Sequence, residues 1–195
     1  MKSRVKEIAR SIVGPLADGL AAAGVSPNHL TLAGLVFSGA AGAAAATGRL
    51  RLGAVLLILG GVCDMLDGAV ARRHGHVTRF GAFLDSTVDR ASEMVFFAGV
   101  ALYYHHAEPS GLYLVLSVLA LGGSFLISYA RARAEGLGLS CEVGLLERPE
   151  RLVLIIAALL VGPVGLKAVL WILTPLAYFT SWQRIAHVRA ETSGS

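Results

Sequence analysis

From residue 27 onward the chain is a series of long apolar stretches separated by short polar, glycine or proline punctuation. A bilayer core needs about 20 apolar residues per helix. Six stretches approach that length, at residues 27–47, 51–73, 80–104, 110–134, 148–163 and 165–189. Pro27, Pro109 and Pro149 stand near helix starts, Gly48 and Gly75 close the first and second stretches, and Pro163-Val164-Gly165 parts the fifth from the sixth. Ahead of them, residues 2–23 mix basic and apolar positions at helical spacing. This predicts a helix lying on the membrane surface, with Lys2, Arg4, Lys6 and Arg10 toward anionic headgroups and Ile8, Ile12, Val13, Leu16 and Leu20 toward acyl chains. Pro15 and Asp18 interrupt that run before it makes a secretory apolar region of about 7–15 residues. The pattern predicts an all-α integral membrane protein, a single domain over residues 1–195. Its six transmembrane helices (27–189) are preceded by an amphipathic interfacial helix (2–23).

Composition agrees. The 195 residues are 55% hydrophobic and only 15% charged, with mean hydropathy +0.66, against about 25% charged in a soluble domain. A net charge of +4 without interleaved aromatic and basic residues argues against nucleic acid. Two cysteines, Cys63 and Cys141, make no disulfide framework. The basic residues are distributed unevenly. With both termini in the cytoplasm, six crossings leave only Arg49, Arg51 and Lys167 of the 17 Lys and Arg on the far side, the asymmetry expected of cytoplasmic loops. Gly34, Ser38 and Gly42 recur every four residues in the first span and predict close helix packing rather than chemistry.

Four of the five aspartates fall inside two of the apolar stretches, as Asp64, Asp67, Asp85 and Asp89. A carboxylate at a bilayer centre costs about 2.5–3.5 kcal/mol even on insertion scales, so four in neighbouring helices are hard to explain as packing. Asp64, Asp67, Gly68, Ala71 and Arg72 share one helical stripe, and Gly81, Asp85 and Asp89 share another. The short turn between the helices predicts antiparallel neighbours with facing stripes. Converging carboxylates call for cations, and hard oxygen ligands suit Mg²⁺ or Mn²⁺. Paired metals about 3.5–4 Å apart serve phosphoryl chemistry. Gly68 leaves room for a ligand at the backbone, and Arg72 can grip a phosphate through two nitrogens.

These residues spell D-x2-D-G-x2-A-R-x8-G-x3-D-x3-D, which resembles the signature of the CDP-alcohol phosphatidyltransferases at all eight positions: Asp64, Asp67, Gly68, Ala71, Arg72, Gly81, Asp85 and Asp89. The resemblance covers nearly the whole chain. It implies a six-span membrane enzyme that moves a phosphatidyl group from CDP-diacylglycerol to an alcohol and releases CMP. It further implies two Mg²⁺ ions (or Mn²⁺) held by Asp64, Asp67 and Asp85, with Asp89 touching one of them and acting as general base. Gly68, Arg72 and Thr78 look like the nucleotide side. Ser26-Pro27-Asn28-His29-Leu30-Thr31 resembles a family segment near the donor, with Asn28 and Thr31 as its binding residues; an N-cap pair opening the first span explains them equally well. The resemblance also implies a cell-membrane enzyme with its active site facing the cytoplasm, and a homodimer.

A second basic group gathers at the cytoplasmic ends of the last three spans, in Ser128-Tyr-Ala-Arg-Ala-Arg-Ala-Glu135, Glu147-Arg-Pro-Glu-Arg151 and Trp182-Gln-Arg184. It serves either membrane anchoring or an acceptor that carries a phosphate. Both arginine runs resemble phosphatidylinositol-phosphate synthases, whose acceptor is inositol 1-phosphate. That resemblance places the acceptor phosphate on Ser128, Arg131, Arg151 and Arg184. Arg131 stands where many of those enzymes have lysine, and Asn28 where some have aspartate. Glycerol 3-phosphate, the acceptor of phosphatidylglycerophosphate synthases, is the alternative.

Weaker features complete the reading. Glu93, one turn past Asp89, either supports it or pairs with Arg90, and His74-Gly-His76 reads as a solvated turn. An ion-coupled transporter would also place aspartates in spans. It predicts repeated halves and broken helices, and leaves Gly68, Ala71, Arg72 and Gly81 unexplained.

Overall fold

The computed structural model describes residues 13–73 and 77–193. Within them the chain is all helix: α1 (residues 13–22), α2 (Pro27–Ala46), α3 (Leu50–Arg73), α4 (Arg79–Leu102), α5 (Gly111–Glu135), α6 (Arg148–Val161) and α7 (Pro163–Thr192). All six expected stretches are helical. Four of them, α2, α3, α5 and α7, are long and apolar enough to cross a membrane, so this is a multi-pass membrane protein. α6 has only 14 residues, and α4 carries Arg79, Asp85, Asp89, Arg90 and Glu93 along its length.

Local chemistry sets the ends. Ser26 caps α2, accepting from His29 N at 3.4 Å while His29 Nδ1 returns a bond to Ser26 N, and Pro27 follows in the first turn. The cap is therefore Ser26 with His29, not Asn28 with Thr31. Thr78 caps α4 by accepting from Gly81 N at 2.9 Å. Gly162 alone joins α6 to α7 at φ 103°, a conformation that L side chains avoid. Past Leu102 the helix widens into a π turn, Tyr103–Ala107. There Glu108 ties the far side together, accepting from Tyr103 Oη at 2.6 Å and pairing with Lys167 of α7.

α2 is the scaffold of the amino-terminal half. It packs along both α3 and α4, which scarcely touch each other. This corrects the expectation that α3 and α4 pair directly: their stripes face across a gap backed by α2. Small residues permit the close approach. A Cβ on Gly42 would lie 2.6 Å from Val95 O of α4, and one on Gly99 would overlap the Gly42 backbone. On the α3 side, Gly60 meets the backbone of Gly34. The main core fills the other half, where Leu159, Leu166, Leu170, Leu173 and Ile127 of α5, α6 and α7 are buried with Phe96 and Val100 of α4.

α1 leans on the bundle. Ala17 is fully buried, and the half-buried Val13 and Leu20 pack with it against Leu30, Leu66 and Val70, while Leu16 is exposed. Arg73 at the end of α3 holds α1 in place, donating through Nε and Nη2 to Asp18 at 2.9 and 2.6 Å. Residues 2–12, including Lys2, Arg4, Lys6, Arg10, Ile8 and Ile12, and residues 74–76, including His74 and His76, lie outside the described residues.

Candidate active site

The helical stripes bring Asp64 and Asp67 of α3 and Asp85 of α4 to one point. Each offers an oxygen, and the three oxygens lie within 4.8 Å of one another. Asp67 is buried, while Asp64 and Asp85 are half-buried. Thr31 of α2 donates Oγ1 to Asp67 Oδ2 at 2.7 Å. Asp85 Oδ1 is buried and has no hydrogen-bond partner among the described residues. A carboxylate oxygen left bare inside a protein is costly, and three carboxylates this close repel. Both facts fit a divalent cation bound by hard oxygen donors.

Asp89, one turn beyond Asp85, stands at the edge of this triad. Its Oδ1 forms an ion pair with Arg148 Nη2 at 2.7 Å, and the other terminal nitrogen of Arg148 donates to Asp64 Oδ2 at 2.8 Å. Arg90 lies 3.7 Å from Asp89 Oδ2. Sequence reasoning placed Arg148 in the basic group but gave it no part in the site. Its proximity to the aspartates depends on how α6 packs against α3, which no local pattern encodes.

Beside the triad opens a cavity of about 330 Å³. All five residues expected on the donor side, Asn28, Thr31, Gly68, Arg72 and Thr78, line it, together with Asp67, Gly81 and Asp85. The guanidinium of Arg72 lies over Gly68, where a Cβ would come within 2.9 Å of Nη1. A second groove, of about 540 Å³, continues past Asp64, Asp67 and Arg72 toward Met65, Val13 and Gly14. The triad therefore sits where the two cavities meet, with Asp67, Gly68, Arg72 and Asp85 lining both.

The acceptor residues are less free than expected. Arg131 is bound to Glu135 at 2.8 Å on the surface. Arg151 is buried and gives Nε and Nη2 to Glu93 at 3.1 and 2.7 Å, and Nη1 to Leu146 O. Glu93 thus pairs with Arg151, not with Arg90 or Asp89. Arg184 is also buried and donates to Val143 O at 2.9 Å and Ile127 O at 2.6 Å. Ser128 is half-buried one turn before Arg131 on α5.

The model of the family described as CDP-alcohol phosphatidyltransferase matches residues 24–183. This chain belongs to that family. The phosphatidyltransferase is 40% identical over 192 residues to archaetidylinositol phosphate synthase of Methanothermobacter thermautotrophicus, covering 96% of this chain and 94% of the relative. It is 38% identical over 194 residues to phosphatidylinositol phosphate synthase of Mycobacteroides abscessus, covering 94% and 86%. Among solved structures, phosphatidylinositol phosphate synthase of Mycobacterium tuberculosis in complex with manganese and citrate superposes with TM-score 0.85 at 34% identity, over 90% of this chain and 88% of that one. The same enzyme with CDP-DAG bound gives TM-score 0.84 at 35% identity, over 91% and 94%. The phosphatidyltransferase signature and the carboxylate triad thus coincide in space as well as in sequence.

Proposed function

We propose that this phosphatidyltransferase transfers the phosphatidyl group of CDP-diacylglycerol to inositol 1-phosphate, forming phosphatidylinositol phosphate and releasing CMP. The observation that carries the reading is the carboxylate triad opening into a cavity lined by Asn28, Thr31, Gly68, Arg72 and Thr78. The choice of acceptor rests on the relatives: their names differ in the lipid part and agree on the inositol phosphate head group.

In this reading Asp64, Asp67 and Asp85 would hold two Mg²⁺ ions, with Asp89 beside them, and Thr31 fixes the orientation of Asp67. When bound, the cations offset the charge of the donor diphosphate and leave its lipid-bearing phosphorus electrophilic. Arg72 takes a phosphate of the nucleotide through its terminal nitrogens, and Gly68 lets the nucleotide approach the α3 backbone. Asp89 accepts the proton of the acceptor hydroxyl as that oxygen bonds to phosphorus and the bond to CMP breaks. Ser128 and Arg131 receive the acceptor phosphate, Arg131 exchanging Glu135 for it. Arg151 and Arg184 contribute positive field from their buried positions, both close enough to interact electrostatically with one another.

The proposed architecture is six spans preceded by the surface helix 2–23, with both termini and the active site on the cytoplasmic side. The support is the basic bias and the position of Arg72, Arg73 and Arg148 at the same ends as the aspartates. A homodimer rests on the family resemblance.

The test is CMP release by purified enzyme with Mg²⁺, CDP-diacylglycerol and a panel of acceptors. Inositol 1-phosphate is expected to support turnover, and Asp89→Asn to lower it about 10²–10⁴-fold. Turnover with glycerol 3-phosphate alone would reassign the acceptor. Failure of both phosphorylated alcohols would overturn the acceptor site.

A further inference from the structure

The carboxylate cluster already contains one cation. Arg148, from the first turn of α6, bridges two helices with one guanidinium: Nη1 on Asp64 Oδ2 at 2.8 Å and Nη2 on Asp89 Oδ1 at 2.7 Å. Asp64 is also one of the three carboxylates whose oxygens converge within 4.8 Å. A guanidinium and a divalent ion therefore compete for the same residue. The competition is local, because Asp67 is engaged by Thr31 and Asp85 Oδ1 has no partner among the described residues. The neighbouring pair gives a contrast. One turn along α6, Arg151 is buried against Glu93 and touches no member of the triad.

We propose that Arg148 is a resident counter-ion of the cluster: it occupies Asp64 when no divalent cation is present, yields that carboxylate when the cation binds, and so sets the metal affinity of the site. The physical reason is charge balance. Four carboxylates facing one gap repel, and a positive charge fixed between Asp64 and Asp89 lowers that repulsion beyond what Arg90 does at the edge of Asp89. The same charge opposes an incoming divalent ion and must give up a hydrogen bond to admit it. Arg148 is thus a positioning residue, holding Asp64 and Asp89 in register across the gap between α3 and α4. The inference rests on the metal assignment made above for Asp64, Asp67 and Asp85.

The test is calorimetric titration of Mn²⁺ into the full-length enzyme in detergent, without substrate, together with thermal melts before and after Mn²⁺. Arg148→Gln is expected to bind Mn²⁺ about tenfold more tightly than the natural protein. Its ion-free form is expected to melt lower, and Mn²⁺ to raise its melting temperature by more than it raises that of the natural protein. Arg148→Lys, which keeps the charge but loses the two-pronged grip, is expected to fall between and covers the case in which the glutamine variant does not fold. Glu108→Gln, past the other end of α4 beside Lys167, is the control, expected to lower the melting temperature with unchanged Mn²⁺ affinity. Mn²⁺ affinity unchanged or weakened in both Arg148 variants would overturn the counter-ion role while leaving the metal site intact. Absence of Mn²⁺ binding by the natural protein would overturn the metal assignment, and the counter-ion role with it.

Discussion

Thr31 Oγ1 donates to Asp67 Oδ2 at 2.7 Å, a bond that crosses from α2 to α3 inside the carboxylate cluster. It ties down a carboxylate that also offers an oxygen to the cluster with Asp64 and Asp85. Thr31→Val keeps the shape and removes the donor. Partners of this kind typically contribute 10–100-fold to metal affinity, so Mn²⁺ titration of the variant should show a loss of about that size. Thr31→Ser should restore most of it. Equal affinity in all three proteins would remove Thr31 from the site.

Gly68 and Arg72 make a second coupled pair. A Cβ at residue 68 would meet Arg72 Nη1 at 2.9 Å, and the tip of a flexible side chain can move aside. Gly68→Ala is therefore expected to fold with little loss of stability. The displaced guanidinium loses its place in the donor cavity, and a weakened charge-assisted hydrogen bond of about 1.5 kcal/mol corresponds to about a tenfold rise in KM for CDP-diacylglycerol. Steady-state kinetics at saturating Mg²⁺ would check this.

The buried Arg151–Glu93 pair should act on stability. Glu93→Gln leaves a guanidinium in the interior without its counter-charge, a change that typically costs about 3–5 kcal/mol. Thermal melts in detergent should show the loss. Joint replacement of Glu93 and Arg151 by Leu and Met should recover much of it, because neither buried charge remains.

Crowding at the crossing of α2 and α4 gives a sharp contrast between two glycines. A Cβ on Gly42 would lie 2.6 Å from a backbone oxygen, whereas Gly39 faces open space. Gly42→Ala should destabilise by about 1–3 kcal/mol, as overpacking does. Gly39→Ala should stay within about 0.5 kcal/mol of the natural protein. Melting temperatures of the two variants would decide.

On the far side, the hydrogen bond from Lys167 and that from Tyr103 hold the Glu108 carboxyl below its ordinary range. The sign follows from linkage. A depressed folded-state value stabilises the fold above the unfolded value of about 4.3, and that stability is lost as pH falls through the lowered folded value. Glu108→Gln should therefore melt below the natural protein at pH 7, and the gap should narrow as pH falls below about 4.3. A gap that persists at low pH would mean that packing, rather than charge, holds this corner.

Much of the site was legible because helical spacing alone puts Asp64 with Asp67 and Asp85 with Asp89, and a single turn joins the two helices. The donor residues Gly68 and Arg72 followed from the same stripe. What escaped depended on tertiary placement. Arg148 reaches the cluster only because α6 packs on α3. The Gly34, Ser38 and Gly42 repeat announced close packing of α2, but not that its neighbours would be α3 and α4 at once. The apolar stripe of α1 was visible, but periodicity says only that a face is apolar, not whether lipid or protein covers it. Arg151 and Arg184 read as anchoring or phosphate-binding charges, and their burial was hidden because a buried arginine and an exposed one carry the same letter. Their partners, Glu93 and the carbonyls of Val143 and Ile127, come from other helices.

The shortness of α6 has a consequence for how Arg148 is placed. Fourteen residues make a helix about 21 Å long, whereas bilayer hydrocarbon is about 30 Å thick. A helix of that length is too short to span such a thickness by itself. The packing of α6 on α3 and α7, rather than its own reach, therefore fixes where Arg148 meets Asp64 and Asp89.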